Sequence, residues 1–110
     1  MPVIPWEAAP KRARPDDPDG FAKAFVNPDV GASRLRMHVS VISPGKRAHA
    51  PHSHPEEEIM YVLAGRGTML LGDERTAVGP DTGIFIPSGV LHGIENTGDQ
   101  MLRYMVILQA

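Results

Sequence analysis

From residue 34 onward the chain alternates apolar and polar side chains in short runs, each closed by Gly, Pro, Asn or Asp. Side chains two apart share one face of an extended strand, so this alternation predicts strands with one dry and one polar face. Arg34 to Ile42 sets Leu35, Met37, Val39 and Val41 against Arg34, Arg36, His38 and Ser40. Glu58 to Leu63 sets Glu58, Met60 and Val62 against Ile59, Tyr61 and Leu63, and then Gly65 and Gly67 reverse the chain. Further strands follow at 68–71, 75–78, 83–86, 91–95 and 101–108, separated by turns at Gly72-Asp73-Glu74, Gly79-Pro80-Asp81, Pro87-Ser88-Gly89 and Asn96-Thr97-Gly98. Short strands punctuated by turn residues, with no helix-length amphipathic stretch, predict an all-β fold, either sandwich or barrel. A closed barrel would leave an interior for a ligand.

The first residues break this rhythm. Pro2, Pro5, Pro10, Pro15 and Pro18 each fix φ and remove a backbone donor, which predicts an irregular N-terminal arm over 1–31 ahead of a β-barrel domain at 32–110. Within that arm, 21–31 reads as a short strand or a turn of helix stopped by Asn27 and Pro28. Trp6, the only tryptophan, is expected to dock on the domain or across a subunit interface.

Composition narrows the function. With 110 residues, 42% apolar and 5% aromatic, the chain suits one domain with an aliphatic core. A net charge of −2, with Asp16, Asp17 and Asp19 offsetting Lys11, Arg12 and Arg14, argues against a nucleic-acid partner. No apolar run reaches the roughly 20 residues that span a bilayer, and the start lacks the apolar centre of a secretory signal, so the expected location is cytoplasmic, with no membrane partner. Without cysteine, thiolate and disulfide chemistry are excluded.

The chemistry concentrates between Gly45 and Gly65. His52, His54 and Glu58 are spaced by even numbers, so an extended backbone turns all three to one side, with His92 as a fourth partner from later in the chain. Imidazole nitrogen with carboxylate oxygen suits Fe, Mn, Ni, Cu or Zn better than calcium, and such a set leaves coordination positions for water or substrate. His49 is out of phase with His52 and reads as a rim residue, while Glu56 and Glu57 read as a solvated corner or as hydrogen-bond partners of a ligand histidine. No Ser/His/Asp arrangement, phosphate loop or sequestered lysine is visible.

Two motifs in order carry a family resemblance. Gly45, His52, His54, Glu58 and Gly65 match the first motif of the cupin superfamily, and Pro87, Gly89, His92 and Asn96 match the second. The loop from Gly45 to His52 is one residue longer than the commonest cupin spacing, and Asp81 stands where the second motif usually has glycine. The chain thus resembles a small single-domain cupin over about residues 34 to 108. That resemblance implies a double-stranded β-helix, or jelly-roll, barrel. It also implies one divalent transition-metal ion per chain, held by His52, His54, Glu58 and His92, with Asn96 structural. Single-domain cupins resemble one another in forming homodimers, for which Leu35 to Val41 and Leu102 to Leu108 offer apolar faces.

The expected function is a metal-dependent enzyme acting on a small oxygenated organic substrate, with dioxygenase one of the classes left open. The alternatives are a nonredox isomerase or lyase and a noncatalytic metal- or ligand-binding module. Expected pocket residues are Arg36, His38, Met60, Met69, Ile86 and Tyr104, with Arg103 of opposite strand phase to Tyr104. A cation near the metal would favour an acidic substrate, and Arg36 is the candidate for it, the alternative being a solvent-facing strand arginine.

Overall fold

The computed structural model describes residues 2–110. Nine strands form among them: β1 (Lys11–Arg14), β2 (Asp17–Val26), β3 (Leu35–Ile42), β4 (Glu58–Ala64), β5 (Gly67–Leu71), β6 (Glu74–Val78), β7 (Thr82–Ile86), β8 (His92–Glu95) and β9 (Leu102–Gln109). They build a six-stranded sheet ordered β1-β2-β3-β9-β4-β7 and a three-stranded sheet ordered β6-β5-β8, with all described pairs antiparallel. The two sheets form the jelly-roll arrangement of a cupin. Among the described residues the helical elements are two short 3-10 turns, Trp6–Ala8 before β1 and Pro28–Val30 between β2 and β3. No helix among the described residues is long and apolar enough to cross a membrane.

Alternation along β3, β4 and β9 decides what faces inward. Ile42, Val62, Ile86 and Leu102 are fully buried and pack with Met60, Met69, Ile94 and Tyr104 into one core between the sheets. The polar side of β3 faces that interior as well: Ser40 is buried and His38 half-buried, so this face forms a cavity wall. On the opposite face Val39 and Val41 are also buried, in the part of the outer surface that the N-terminal segment covers. There Trp6 lies 6.1 Å from the Phe21 ring and 6.0 Å from Phe25. The Arg103 guanidinium stacks 4.1 Å from its ring, and the Lys23 ammonium lies 4.8 Å from it.

The irregularity expected before residue 20 is corrected by β1 and by β2, which begins at Asp17. The prolines are accommodated by position rather than avoided. Pro10 precedes β1, Pro15 sits in the turn after it, and β2 pairs with β3 only from Phe21 onward, beyond Pro18. As β1 is an edge strand, it can dispense with donors on its open side. Of the two readings of 21–31 the strand is the one observed, β2 running to Val26; a 3-10 turn follows only from Pro28, capped by the Asn27 side chain, which accepts from the Asp29 amide at 3.0 Å.

Two turns show why local rules held where motif residues departed. Asp81 adopts φ 60°, the single left-handed non-glycine among the described residues, at the position where the second cupin motif usually has glycine. Its amide donates to the Val62 carbonyl at 2.8 Å, and the left-handed turn is one that Asp tolerates better than most residues. Asn96, fully buried, donates from Nδ2 to the Ile42 and Gln100 carbonyls at 2.9 and 2.8 Å, while its Oδ1 accepts from the Gly98 amide at 3.0 Å. One side chain thereby ties the end of β3 to the turn between β8 and β9.

Candidate metal centre

The proline-rich loop between β3 and β4 has too few free donors to make a continuous strand, but it bonds to β8 at two places. The Gly45 amide donates to the Asn96 carbonyl at 2.9 Å, and the Asn96 amide donates to Lys46 at 2.9 Å. Further on, His52 and His92 exchange backbone hydrogen bonds of 3.0 and 2.9 Å. This exchange sets the two imidazoles side by side, with ring centroids 4.9 Å apart. Two residues later His54 completes the triangle, 5.2 Å from His52 and 4.8 Å from His92. One nitrogen from each of the three rings lies within 4.8 Å of the others.

Glu58 joins the group from the first position of β4, where pairing with Ile86 on one side and Leu108 on the other turns its side chain inward. Its Oε1 lies 3.0 Å from His54 Nε2 and 3.5 Å from His92 Nε2. Both His92 and Glu58 are buried, with 1% and 4% of their surface exposed.

Second partners choose the tautomers. The Nδ1–H of His54 donates to the Glu56 carbonyl at 3.0 Å, and the Nδ1–H of His92 donates to the Val90 carbonyl at 2.9 Å. With Nδ1–H committed to a carbonyl, each ring turns Nε2 toward the Glu58 carboxylate, free to bind a cation or to carry a proton to it. Lone pairs facing lone pairs repel unless a cation or proton lies among them, and buried His92 Nε2 has no hydrogen-bond partner. The donor set fits a divalent transition metal: three unprotonated nitrogens, one anionic oxygen, and carbonyls that hold the rings in orientation. His52 is the exposed member of the cluster; its partial desolvation, followed by the neighbouring His49, His92 and His54, lowers its imidazole pKa from the ordinary value.

A cavity of about 250 Å³ opens beside the cluster, lined on one side by His52, His54, Glu58 and His49 and on the other by His38, Ser40, Met60 and Tyr104. Of the expected pocket residues, His38, Met60 and Tyr104 line it. Met69 and Ile86 are instead packed into the core and do not line it. Arg36 is also displaced from the expected role: its guanidinium donates to the Leu35 carbonyl at 2.9 Å, and it lines an adjoining cavity of about 380 Å³. His49 is exposed and stacks on His52 at 4.0 Å, a rim position as expected.

The cations lining the first cavity are Arg12 and Arg14, on β1. Their spacing of two is a strand signal, masked in the sequence by the surrounding prolines. Burial lowers the His38 pKa, and Arg14, Arg12 and His49 lower it further, which keeps that imidazole neutral. Burial raises the Tyr104 phenol, opposed by Ser40 and Arg14 and assisted by Glu58, so its proton stays in place.

Comparison with known proteins adds a lineage to this geometry. The Cupin domain family matches residues 38–108. Protein SchB of Streptomyces halstedii is 37% identical over 86 residues, covering 76% of this chain and 62% of its own length. Polyketide synthase CurC of Streptomyces cyaneus is 33% identical over 99 residues, covering 88% of this chain and 61% of its own. The chain therefore spans about three fifths of the length of these relatives. Among solved structures, the polyketide cyclase RemF from Streptomyces resistomycificus superimposes with a TM-score of 0.85 at 26% identity, over 99% of this chain and 79% of that one.

Proposed function

The chain belongs to the cupin domain family, and on that premise we propose that it is a metal-dependent enzyme for proton transfer next to a carbonyl in a small, oxygen-rich organic molecule. The observation that carries this reading is the convergence of one nitrogen each from His52, His54 and His92 to within 4.8 Å of one another at a cavity wall, with the Glu58 carboxylate 3.0 and 3.5 Å from two of them. His52, His54, Glu58 and His92 would hold the ion, one of Fe, Mn, Ni, Cu or Zn. Bound there, it would polarise a substrate carbonyl or enol oxygen and lower the cost of negative charge developing on it.

The remaining roles belong to the protein. Met60, Val106 and Leu108 supply the apolar part of the cavity wall and exclude water from the substrate's carbon skeleton. The neutral His38 imidazole accepts a proton from a substrate carbon or hydroxyl and returns it, which is general acid–base work for a ring held unprotonated. Tyr104, with its hydroxyl kept protonated, donates to a substrate oxygen. Similarity to a polyketide cyclase and to a polyketide synthase component supports a substrate rich in carbonyl and hydroxyl oxygens. Isomerases, lyases and cyclases share this proton-transfer step, whereas a dioxygenase on the same ligands would consume dioxygen.

A poly-β-ketone probe in heavy water tests the reading directly. Metal-loaded protein is expected to accelerate deuterium uptake beside the carbonyl, followed by NMR, without oxygen consumption at an electrode. Replacing His38 with Gln should slow that uptake about 100-fold or more, the usual scale of general acid–base catalysis. Oxygen uptake would transfer the protein to the dioxygenase class, and tight binding with neither change would make it a binding module.

A further inference from the structure

Arg12 and Arg14 reach the same cavity as the ligand cluster, although they come from the chain's first strand. Strand phase explains how: Arg12 pairs with Ala22, whose side of β2 faces inward, while the intervening Ala13 pairs with the outward-facing Phe21. Lys11, on that outward side, lies over the Phe21 ring at 4.5 Å. Of the basic run, the two arginines line that cavity, Arg14 half-buried and Arg12 exposed at its edge.

Arg14 is only partly bonded there. One terminal nitrogen donates to Ser40 Oγ at 2.9 Å, but its buried Nε–H has no acceptor. Among the described residues, no carboxylate lies within 4 Å of either guanidinium. A half-buried guanidinium with an unused donor is costly unless an anion completes it, and its fork geometry matches a carboxylate. Buried Ser40 holds the side chain from the far side, so the free edge is oriented before anything binds.

We propose that Arg14, with Arg12 beside it, is a carboxylate-binding subsite of the cavity, so that the substrate carries an anionic carboxylate that the guanidinium grips while its other oxygens face the histidine cluster. This rests on the cavity being the substrate site, and it deepens that reading by giving the substrate a charge. Arg14 is a specificity residue here, since it touches the end of the molecule that does not react. It also explains why a half-buried arginine is held at the cavity without a carboxylate partner of its own.

Calorimetric titration with malonate and its neutral diamide, malonamide, tests the subsite in both metal-free and zinc-loaded protein. Because malonate can chelate zinc by itself, the metal-free arm isolates the arginines. Wild type is expected to prefer malonate by about tenfold or more, the scale of one charge-assisted bidentate contact. Arg14→Gln should abolish that preference, Arg14→Lys should restore part of it, and Arg12→Gln should weaken it less. Zinc affinity should be the same in Arg14→Gln as in wild type. Equal malonate binding by wild type and Arg14→Gln, or no malonate binding by wild type in either form, overturns the subsite. Failure of zinc to bind, with the arginine-dependent preference intact, overturns the metal centre and leaves the subsite standing. Should Arg14→Gln lose its thermal unfolding transition, Arg14→Lys and Arg12→Gln decide: unchanged malonate affinity in both overturns the proposal.

Discussion

At Asp17 two forces oppose each other on one carboxyl group. Burial, to 2% exposure, pushes its pKa up, but the Ser43 hydroxyl at 2.6 Å, the Ser43 and Gly20 amides and the Lys46 charge pull it below the ordinary 3.8. A depressed carboxylate stabilises the fold fully above the unfolded-state pKa, and the contribution disappears as pH falls through the lower folded value. Asp17→Ala should therefore cost about 1–3 kcal/mol at neutral pH, since it leaves a hydroxyl and an amide donor without their acceptor. Urea midpoints measured from neutral pH down through the carboxylate range should draw closer for variant and parent toward the acid end, as the charge-dependent part of the difference is lost. A constant gap at every pH would show that the carboxylate's charge is not the stabilising element. The same residue limits Gly20, because a Cβ there would collide with the Asp17 carboxyl group.

At the scale of elements, β3 through β9 were legible because each is a short alternating or apolar run closed by turn residues, and the observed limits differ from the expected ones by about a residue. The ligand constellation was legible for a related reason. Even spacing placed His52, His54 and Glu58 together, and the two motifs supplied His92. What the sequence hid was β1 and the first half of β2. Five prolines dominate local propensity there, whereas the structure decides by position, keeping each proline off a hydrogen bond that the sheet needs. Missing β1 also hid Arg12 and Arg14, and the cation was sought on β3 at Arg36 instead. Met69 and Ile86 have the inward phase expected of them, but phase fixes only the face, and both are packed into the core rather than lining the cavity.

Over the whole molecule, the inner face of the large sheet carries the chemistry and the outer face carries an uncovered apolar row. Register aligns Val26, Met37, Ile107, Ile59 and Phe85 across five strands, beyond the area that Trp6 covers. Ile59 and Phe85 remain 47% and 54% exposed, and Leu35 adjoins them at 57%. A contiguous apolar strip of this kind favours association, and we propose a homodimer through it. Light scattering at micromolar concentration should give twice 11.9 kDa, and Ile59→Lys should give the monomer mass; a monomeric parent would remove the dimer. The inner face makes the stronger demand, because three imidazoles and a carboxylate turned toward one another need a cation or protons to be stable. Calorimetric titration of metal-free protein with zinc at neutral pH measures that demand. One ion per chain is expected, with affinity at least about tenfold lower in His52→Ala and again in His92→Ala, each variant having lost one of the ligands that fix the geometry. Binding far below one ion per chain, or the same affinity in both variants as in the parent, would contradict the metal centre.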